Sequence, residues 1–198
     1  SVAAFQLPFL FTDYDQARAA LYEGDYGYQL IGDVASLGFT VNGIVPDGFR
    51  VMTMNKKVES LADMHGLKMR MPNLEIMVEI GNYLGFAVTP MSMTEVFSAL
   101  EQGVIDGQEN PPSTIRSQGW YEIQDYLLVS NHVFTSLFLC VNNDFYNSLD
   151  SELQNILDEV IDETCAQIWD TAQTQAQEDL DYMSSEGGIE VYEPSDSF

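Results

Sequence analysis

From Asp150 onward apolar residues recur at helical spacing: Leu153, Ile156, Leu157, Val160, Ile161, Cys165, Ile168, Ala172, Ala176, Leu180 and Met183 hold one face over some thirty residues. That length exceeds the roughly 8–20 residues common for a globular helix, so this helix is predicted to brace more than one part of the fold. Gly187-Gly188 ends it, and Ile189–Tyr192 can add a strand. Nine acids (Glu152, Asp158, Glu159, Asp162, Glu163, Asp170, Glu178, Asp179 and Asp181) lie along the same helix. They are read as a solvated face, since hard-metal sites need convergent oxygens rather than a stripe.

The preceding chain alternates short strands with short helices. Residues 7–12 lead into a predicted helix at roughly 13–22 with Asp13 as N-cap, and a second at roughly 26–37 stops near Gly38. Phe39–Val45 is predicted as a strand, stopped by the turn signal Pro46-Asp-Gly48, and Phe49–Met54 as another that carries Arg50. A short helical segment, Leu61–Gly66, feeds a strand at Leu67–Met71. Pro72 then ends the ladder, Asn73 is the predicted N-cap, and Ile76, Met77, Ile80 and Leu84 follow at helical spacing up to Gly85. The pattern repeats: a strand at Phe86–Thr89, a capping box at Ser92-Met-Thr-Glu95, a helix through Val96, Phe97 and Leu100, and a strand at Val104–Gly107 closing on Gln108-Glu-Asn-Pro-Pro112. Leu127–Val141 is predicted as one long strand, and Asn142–Asn147 as a short helix or turn. This alternation predicts an α/β fold. Arg70 then sits near the carboxyl end of a strand, just before a helix N-terminus, and Asn110 sits at a second such junction. In open α/β sheets ligands bind there, because loop N–H groups and the helix dipole favour an anion.

Composition sharpens this picture. With 198 residues the chain can bury a sizeable core, as one domain or two small lobes, and 45% hydrophobic and 12% aromatic content argues against disorder. Seven basic against 31 acidic residues give a formal charge of −24, which excludes nucleic acid as a natural partner and makes long-range steering of an anion unfavourable. Any anion therefore needs a local site. Five of the seven basic residues, Arg50, Lys56, Lys57, Lys68 and Arg70, fall between positions 50 and 70, and none follows Arg116. The competing view is that this window is simply a less acidic surface.

No apolar run approaches the roughly 20 residues of a membrane span. Ser1-Val-Ala-Ala-Phe lacks a signal-peptide pattern, so the chain is expected to be soluble as given, without direct membrane insertion. Cys140 and Cys165 lack metal-like spacing and are expected to be buried free thiols, with a disulfide as the alternative. No nucleophile elbow, P-loop or dinucleotide fingerprint is present, so no catalytic residue, metal or cofactor is expected. His65 and His132 are expected to be structural. Trp120-Tyr121 is expected to pack in the core or at its rim. Met91 and Met93, flanking Ser92, suit either a pocket wall or the core.

Three stretches, Leu67-Lys-Met-Arg-Met-Pro72, the block from Thr89 to Pro111 ending Asp106-Gly-Gln-Glu-Asn-Pro111, and Tyr121-Glu-Ile-Gln-Asp-Tyr126, resemble the core signature of the solute-binding proteins of tripartite ATP-independent periplasmic (TRAP) transporters, the DctP family. Leu7-Pro-Phe-Leu-Phe11 and the run from Phe145 through Glu152-Leu-Gln154 are similar too, so the resemblance spans essentially the whole chain. It implies a two-lobe, periplasmic-binding-protein fold of the Venus-flytrap kind, closing on a small organic acid and delivering it to membrane permease subunits. On this division, 1–47 and 136–175 form lobe I, and 48–135 with 176–198 form lobe II. By the same resemblance Arg70 pairs with the ligand carboxylate, Asn110 hydrogen-bonds the same end, and Arg50 and Asn73 are further contacts. Met93 stands where many members carry an aromatic side chain. The family opens with a βαβ region and closes with terminal helices that these residues do not match, which implies a fragment whose periplasmic leader lies outside it. Two other classes share such a scaffold, the ligand-sensing domain of a receptor and an enzyme, but no residues suited to turnover stand out.

Overall fold

The computed structural model describes residues 5–24, 27–29 and 36–195. The first described helix, α1 (Tyr14–Arg18), starts where the sequence predicts: the Asp13 carboxylate accepts the Gln16 N–H at 2.7 Å, and the helix loosens into a π turn over Ala19–Glu23. The helix expected over 26–37 lies largely outside the described residues.

Among the described residues, eight strands form two sheets. β1 (Phe39–Phe49) pairs antiparallel with β7 (Phe134–Asn142) in a two-stranded sheet. The other six, β2 (Val51–Met54), β3 (Lys68–Met71), β4 (Ala87–Pro90), β5 (Gly107–Asn110), β6 (Tyr126–Leu128) and β8 (Glu190–Tyr192), lie in the order β4-β3-β5-β2-β6-β8. Within that sheet only β2 runs against its neighbours. The carboxyl ends of β3, β4 and β5 and the amino end of β2 therefore share one edge.

The helices cover both faces of the larger sheet. They are α2 (Leu61–Met64), α3 (Glu75–Tyr83), α4 (Val96–Glu101) and α5 (Pro112–Ser117), with α6 (Asn143–Ser148) and α7 (Ser151–Ser185) following β7. Side chains alternate along the strands as the pleat requires. Met52, Met54, Met69 and Met71 join Met64 and Met77 in one methionine-rich core, while Val51 and Leu127 face a second core with Val96, Leu100, Ile115 and the fully buried Trp120. A third core, holding Phe49, Phe134 and Trp169, lies on the two-stranded sheet. Helix α7 serves two of these cores. Trp169 enters the third and donates its indole N–H to the Ile44 carbonyl at 2.8 Å, while Leu180 and Met183, some three turns on, enter the core around Trp120. The predicted start also holds, since Asp150 caps α7 by accepting the Leu153 N–H at 2.9 Å.

Several expectations are corrected. Pro46-Asp-Gly48 does not stop a strand. Pro46 pairs with Ser136 and Gly48 with Thr135, so Asp47 is the extra residue of a bulge inside β1, and Gly48 takes φ +119°. The change of direction falls at Arg50, between the two sheets. Leu127–Val141 is not one strand either: β6 and β7 belong to different sheets, and residues 129–133 cross between them. The strand predicted over Val104–Gly107 lies three residues later, as the polar Gly107-Gln-Glu-Asn110. Asn73 does not cap α3, because Leu74 occupies the N-cap without a side-chain bond. Both cysteines are free thiols, but only Cys165 is buried and Cys140 is exposed. Among the acids of α7, Asp179 is buried and pairs with Arg116 at 2.8 Å instead of facing solvent.

Candidate functional site

The shared edge of the large sheet gathers the predicted residues. β3 ends just past Arg70, β5 ends at Asn110 opposite Val51, and Arg50 precedes Val51. Strand β5 is central, paired to β2 and β3, and all four of its residues are buried. A buried polar side chain must find a partner, and here they bond to one another. The Asn110 amide donates to Gln108 Oε1 at 2.7 Å, and the Gln108 amide donates to Thr53 Oγ1 at 2.9 Å.

Arg50 is tied into the same group. Its Nε donates to Glu109 Oε2, and Nη2 donates to Glu109 Oε1 at 2.9 Å, to the Glu109 carbonyl at 2.7 Å and to Asn110 Oδ1 at 3.0 Å. Glu109 has no solvent exposure. Burial alone pushes its carboxyl up, yet Arg50, with His132 beside it, holds it below the ordinary glutamate value. Arg50 answers in kind: burial works against its charge, and Glu109, with Asp47 further off, more than offsets that. Asp47 itself is raised by burial and held back by Arg50. His132 completes the group, its Nδ1 2.8 Å from Ser130 Oγ and its Nε2 3.3 Å from Glu109 Oε2, without the alignment of a hydrogen bond.

Arg70 is placed differently. It is 4% exposed, and its Nε and Nη2 both donate to the Met91 carbonyl, at 3.1 and 2.9 Å. Among the described residues no carboxylate comes within ion-pair distance of it and Nη1 makes no hydrogen bond. Burial lowers its pKa, Glu109 raises it and Arg50 lowers it again, so it stays a desolvated cation without a counter-ion of its own. The carbonyl occupies the side of the guanidinium that carries Nε. What remains is the end carrying Nη1 and the second proton of Nη2, a fork that fits the two oxygens of a carboxylate.

The remaining predicted residues, Asn73 and Met93, lie in the segments that follow β3 and β4. Asn73 is exposed just after β3, and Met93, also exposed, opens the 3-10 turn Met93–Glu95, whose Ser92 capping box forms as predicted. Neither is hydrogen-bonded to Arg70; Met93 stands two residues beyond the carbonyl that holds it. Five of the surface cavities, of about 180 to 490 Å³, are not lined by Arg70, Arg50 or Asn110, although His132 lines two of them and Phe49 and Val51 a third. Sequence reasoning did not single out Glu109, Gln108 or the Met91 carbonyl. A usable signal for the first two was the polar run Gln108-Glu-Asn110 itself, which is unusual for a central strand.

The family model for the bacterial extracellular solute-binding proteins, family 7 (DctP), matches residues 1–198. The chain belongs to this family. It is 31% identical over 189 residues to the C4-dicarboxylate-binding periplasmic protein DctP of Rhodobacter capsulatus, covering 96% of this chain and 56% of that one. To the sialic acid-binding periplasmic protein SiaP of Vibrio cholerae it is 30% identical, over 93% of this chain and 57% of that one. Among solved structures, a TRAP periplasmic solute binding protein from Haemophilus influenzae with bound L-gulonate superposes with a TM-score of 0.87 at 32% identity, covering 99% of this chain and 64% of that one. The sugar acid binding protein DctPAm from Advenella mimigardefordensis, in complex with galactonate, gives 0.91 at 29% identity, with 98% and 62% covered. The two-lobe binding-protein fold expected of a DctP-family chain is thereby established. The chain spans a little under two thirds of these relatives' length, and α7 is the long helix the sequence predicted.

Proposed function

We propose that this DctP-family chain is the anion-clamping part of a periplasmic solute-binding protein, which captures a small organic acid by lobe closure and delivers it to the permease subunits of a TRAP transporter. Arg70 pairs with the ligand carboxylate through its free fork. Asn110 hydrogen-bonds the same end, Arg50 contacts it through Nη1, and Asn73 and Met93 form the neighbouring wall. In this reading lobe I comprises 1–47 and 136–175, and lobe II comprises 48–135 and 176–198, with the crossings at Arg50, at 129–133 and along α7 as hinges. The observation that carries the proposal is the buried, unpaired Arg70 guanidinium at the carboxyl edge of the sheet. A buried cation is costly to the fold unless something balances it, and a ligand carboxylate does so. Similar proteins hold L-gulonate, galactonate and orotic acid, and another holds sn-glycerol-3-phosphate, all of them anions at neutral pH.

Calorimetric titration and thermal shift of the full-length protein against a panel of organic acids test this. A true ligand at a hundred times its Kd raises stability by about 2.7 kcal/mol, and Arg70→Lys, which keeps the charge but loses the fork, removes that rise. If no acid binds, or if Arg70→Lys binds as the wild type does, the proposal is wrong.

A further inference from the structure

We infer that Glu95 is a positioning residue for ligand capture: through one peptide unit it fixes the carbonyl that aims the Arg70 guanidinium. This rests on the anion-capture reading above and adds to it what holds the fork in place. The Met91 carbonyl, which accepts Nε and Nη2 of Arg70 at 3.1 and 2.9 Å, belongs to the same planar peptide unit as the Ser92 N–H. That N–H donates to Glu95 Oε2 at 3.0 Å. One rigid plane is thus held between a guanidinium and a carboxylate, each through a charge-assisted bond. The Met91 N–H extends the β3–β4 pairing by donating to the Met71 carbonyl at 3.4 Å, one residue beyond Arg70, which brings this plane alongside the end of β3.

The ladder fixes Met91 only as far as its own N–H. Beyond it, a peptide plane turns by opposed changes in ψ of Met91 and φ of Ser92, which leave the path of the chain nearly unaltered. Ser92 and Glu95 are both exposed, so once the carboxylate is gone water satisfies the Ser92 N–H and the turn costs little. The Met91 carbonyl then swings off Arg70, whose buried guanidinium must follow it or lose its acceptor. Glu95 bonds Ser92 and not Arg70, so it acts through the peptide rather than as a counter-ion. The other half of the capping box, in which the Ser92 hydroxyl accepts the Thr94 N–H at 3.4 Å, leaves this plane untouched.

Heteronuclear NMR of the arginine Nε–H groups in the ligand-free, full-length protein tests the clamp without any acid. The Arg70 signal, assigned by its loss in Arg70→Lys, should move in Glu95→Ala and return most of the way in Glu95→Gln, whose amide oxygen still accepts the Ser92 N–H. A signal unmoved in Glu95→Ala overturns the inference. Calorimetry and stopped-flow kinetics with the tightest binder among L-gulonate, galactonate and orotate test the consequence. Glu95→Ala should raise Kd at least about fivefold, mostly through koff, and Glu95→Gln should stay within about twofold of the wild type. Ser98→Gly, which lowers the helix propensity of α4 away from the plane, should lower Tm and leave Kd unchanged. Glu95→Ala binding as the wild type does, Glu95→Gln as weak as Glu95→Ala, or a Kd that rises in Ser98→Gly as well, overturns the inference and leaves anion capture standing. If the wild type binds none of the three acids, anion capture itself fails and takes this role with it.

Discussion

Replacing Glu109 by glutamine tests the central electrostatic claim on stability alone, without any ligand. The substitution keeps volume and one acceptor oxygen, and Arg50 keeps the carbonyl of residue 109 and Asn110 Oδ1. What it removes is, among the described residues, the one carboxylate that hydrogen-bonds a guanidinium almost fully withdrawn from water. Removing one partner of such a buried pair costs about 3–5 kcal/mol, because the other charge stays buried and uncompensated. The retained neutral acceptors place the expectation at the lower end, about 3 kcal/mol, or roughly 6–12 °C in Tm for a chain of this size. Chemical denaturation at pH 7 and calorimetric melting measure both. Replacing both partners, as Arg50→Leu with Glu109→Leu, should cost less than the sum of the singles, since no buried charge is then orphaned. The same pair predicts an acid limb. Folded Glu109 is held below its ordinary value of 4.5, so its contribution is complete above about pH 4.5 and is lost as pH falls through the lower folded value. That part of the acid loss should be missing in Glu109→Gln. A single-variant cost under about 1 kcal/mol, with additive doubles, would refute the reasoning.

Three further predictions rest on other contacts. Arg70→Ala should weaken ligand binding by about 2–5 kcal/mol, the range for truncating one partner of a buried charge pair, and Arg70→Lys should also weaken it severely; titration calorimetry that finds both variants unchanged dismisses the fork. Gly43→Ala places a Cβ 2.5 Å from Cys165 Sγ and should cost about 1–3 kcal/mol by overpacking, with Gly43→Ala/Cys165→Ala recovering much of it in urea melts; no recovery would mean that the sulfur is not the obstacle. Trp169→Phe removes the indole bond to the Ile44 carbonyl and should cost at least about 1 kcal/mol, which thermal unfolding monitored by near-UV circular dichroism would record.

How far the sequence revealed this site depended on which strand carried it. Arg70 was legible because it breaks an apolar run, Lys68-Met-Arg-Met71, and a charge inside such a run demands a reason. The long helix was legible for a similar reason, since its apolar face repeats for nearly nine turns from an unambiguous Asp150 cap. Strand β5 was misplaced because hydrophobic patterning favoured Val104-Ile105 over Gly107–Asn110. In the fold Val104 is half exposed, while the polar residues form the central strand. Their burial is stable only because Thr53, Gln108, Asn110, Glu109 and Arg50 satisfy one another, a condition that no local pattern displays. The bulge at Asp47 escaped for a related reason: a Pro-Asp-Gly signal states that the backbone bends, and not whether a partner strand continues past the bend.

The two arginines of the edge make opposite use of the same chemistry. Arg50 joins the sheets where the chain crosses from β1 to β2, its backbone N–H donating to Val133 at 2.8 Å and its side chain fixed by β5. Its charge is balanced internally, so it can hold that crossing whether or not a ligand is bound. Arg70 is fixed by the Met91 carbonyl, which orients the guanidinium without neutralising it. Its desolvation is therefore already a cost of the fold, and on the proposed reading a ligand carboxylate would relieve that imbalance with little further stripping of water from the cation. On the proposed reading, pre-orientation by a neutral acceptor, with Glu109 committed to the other arginine, leaves the Arg70 fork at the end of β3 ready for an anionic group.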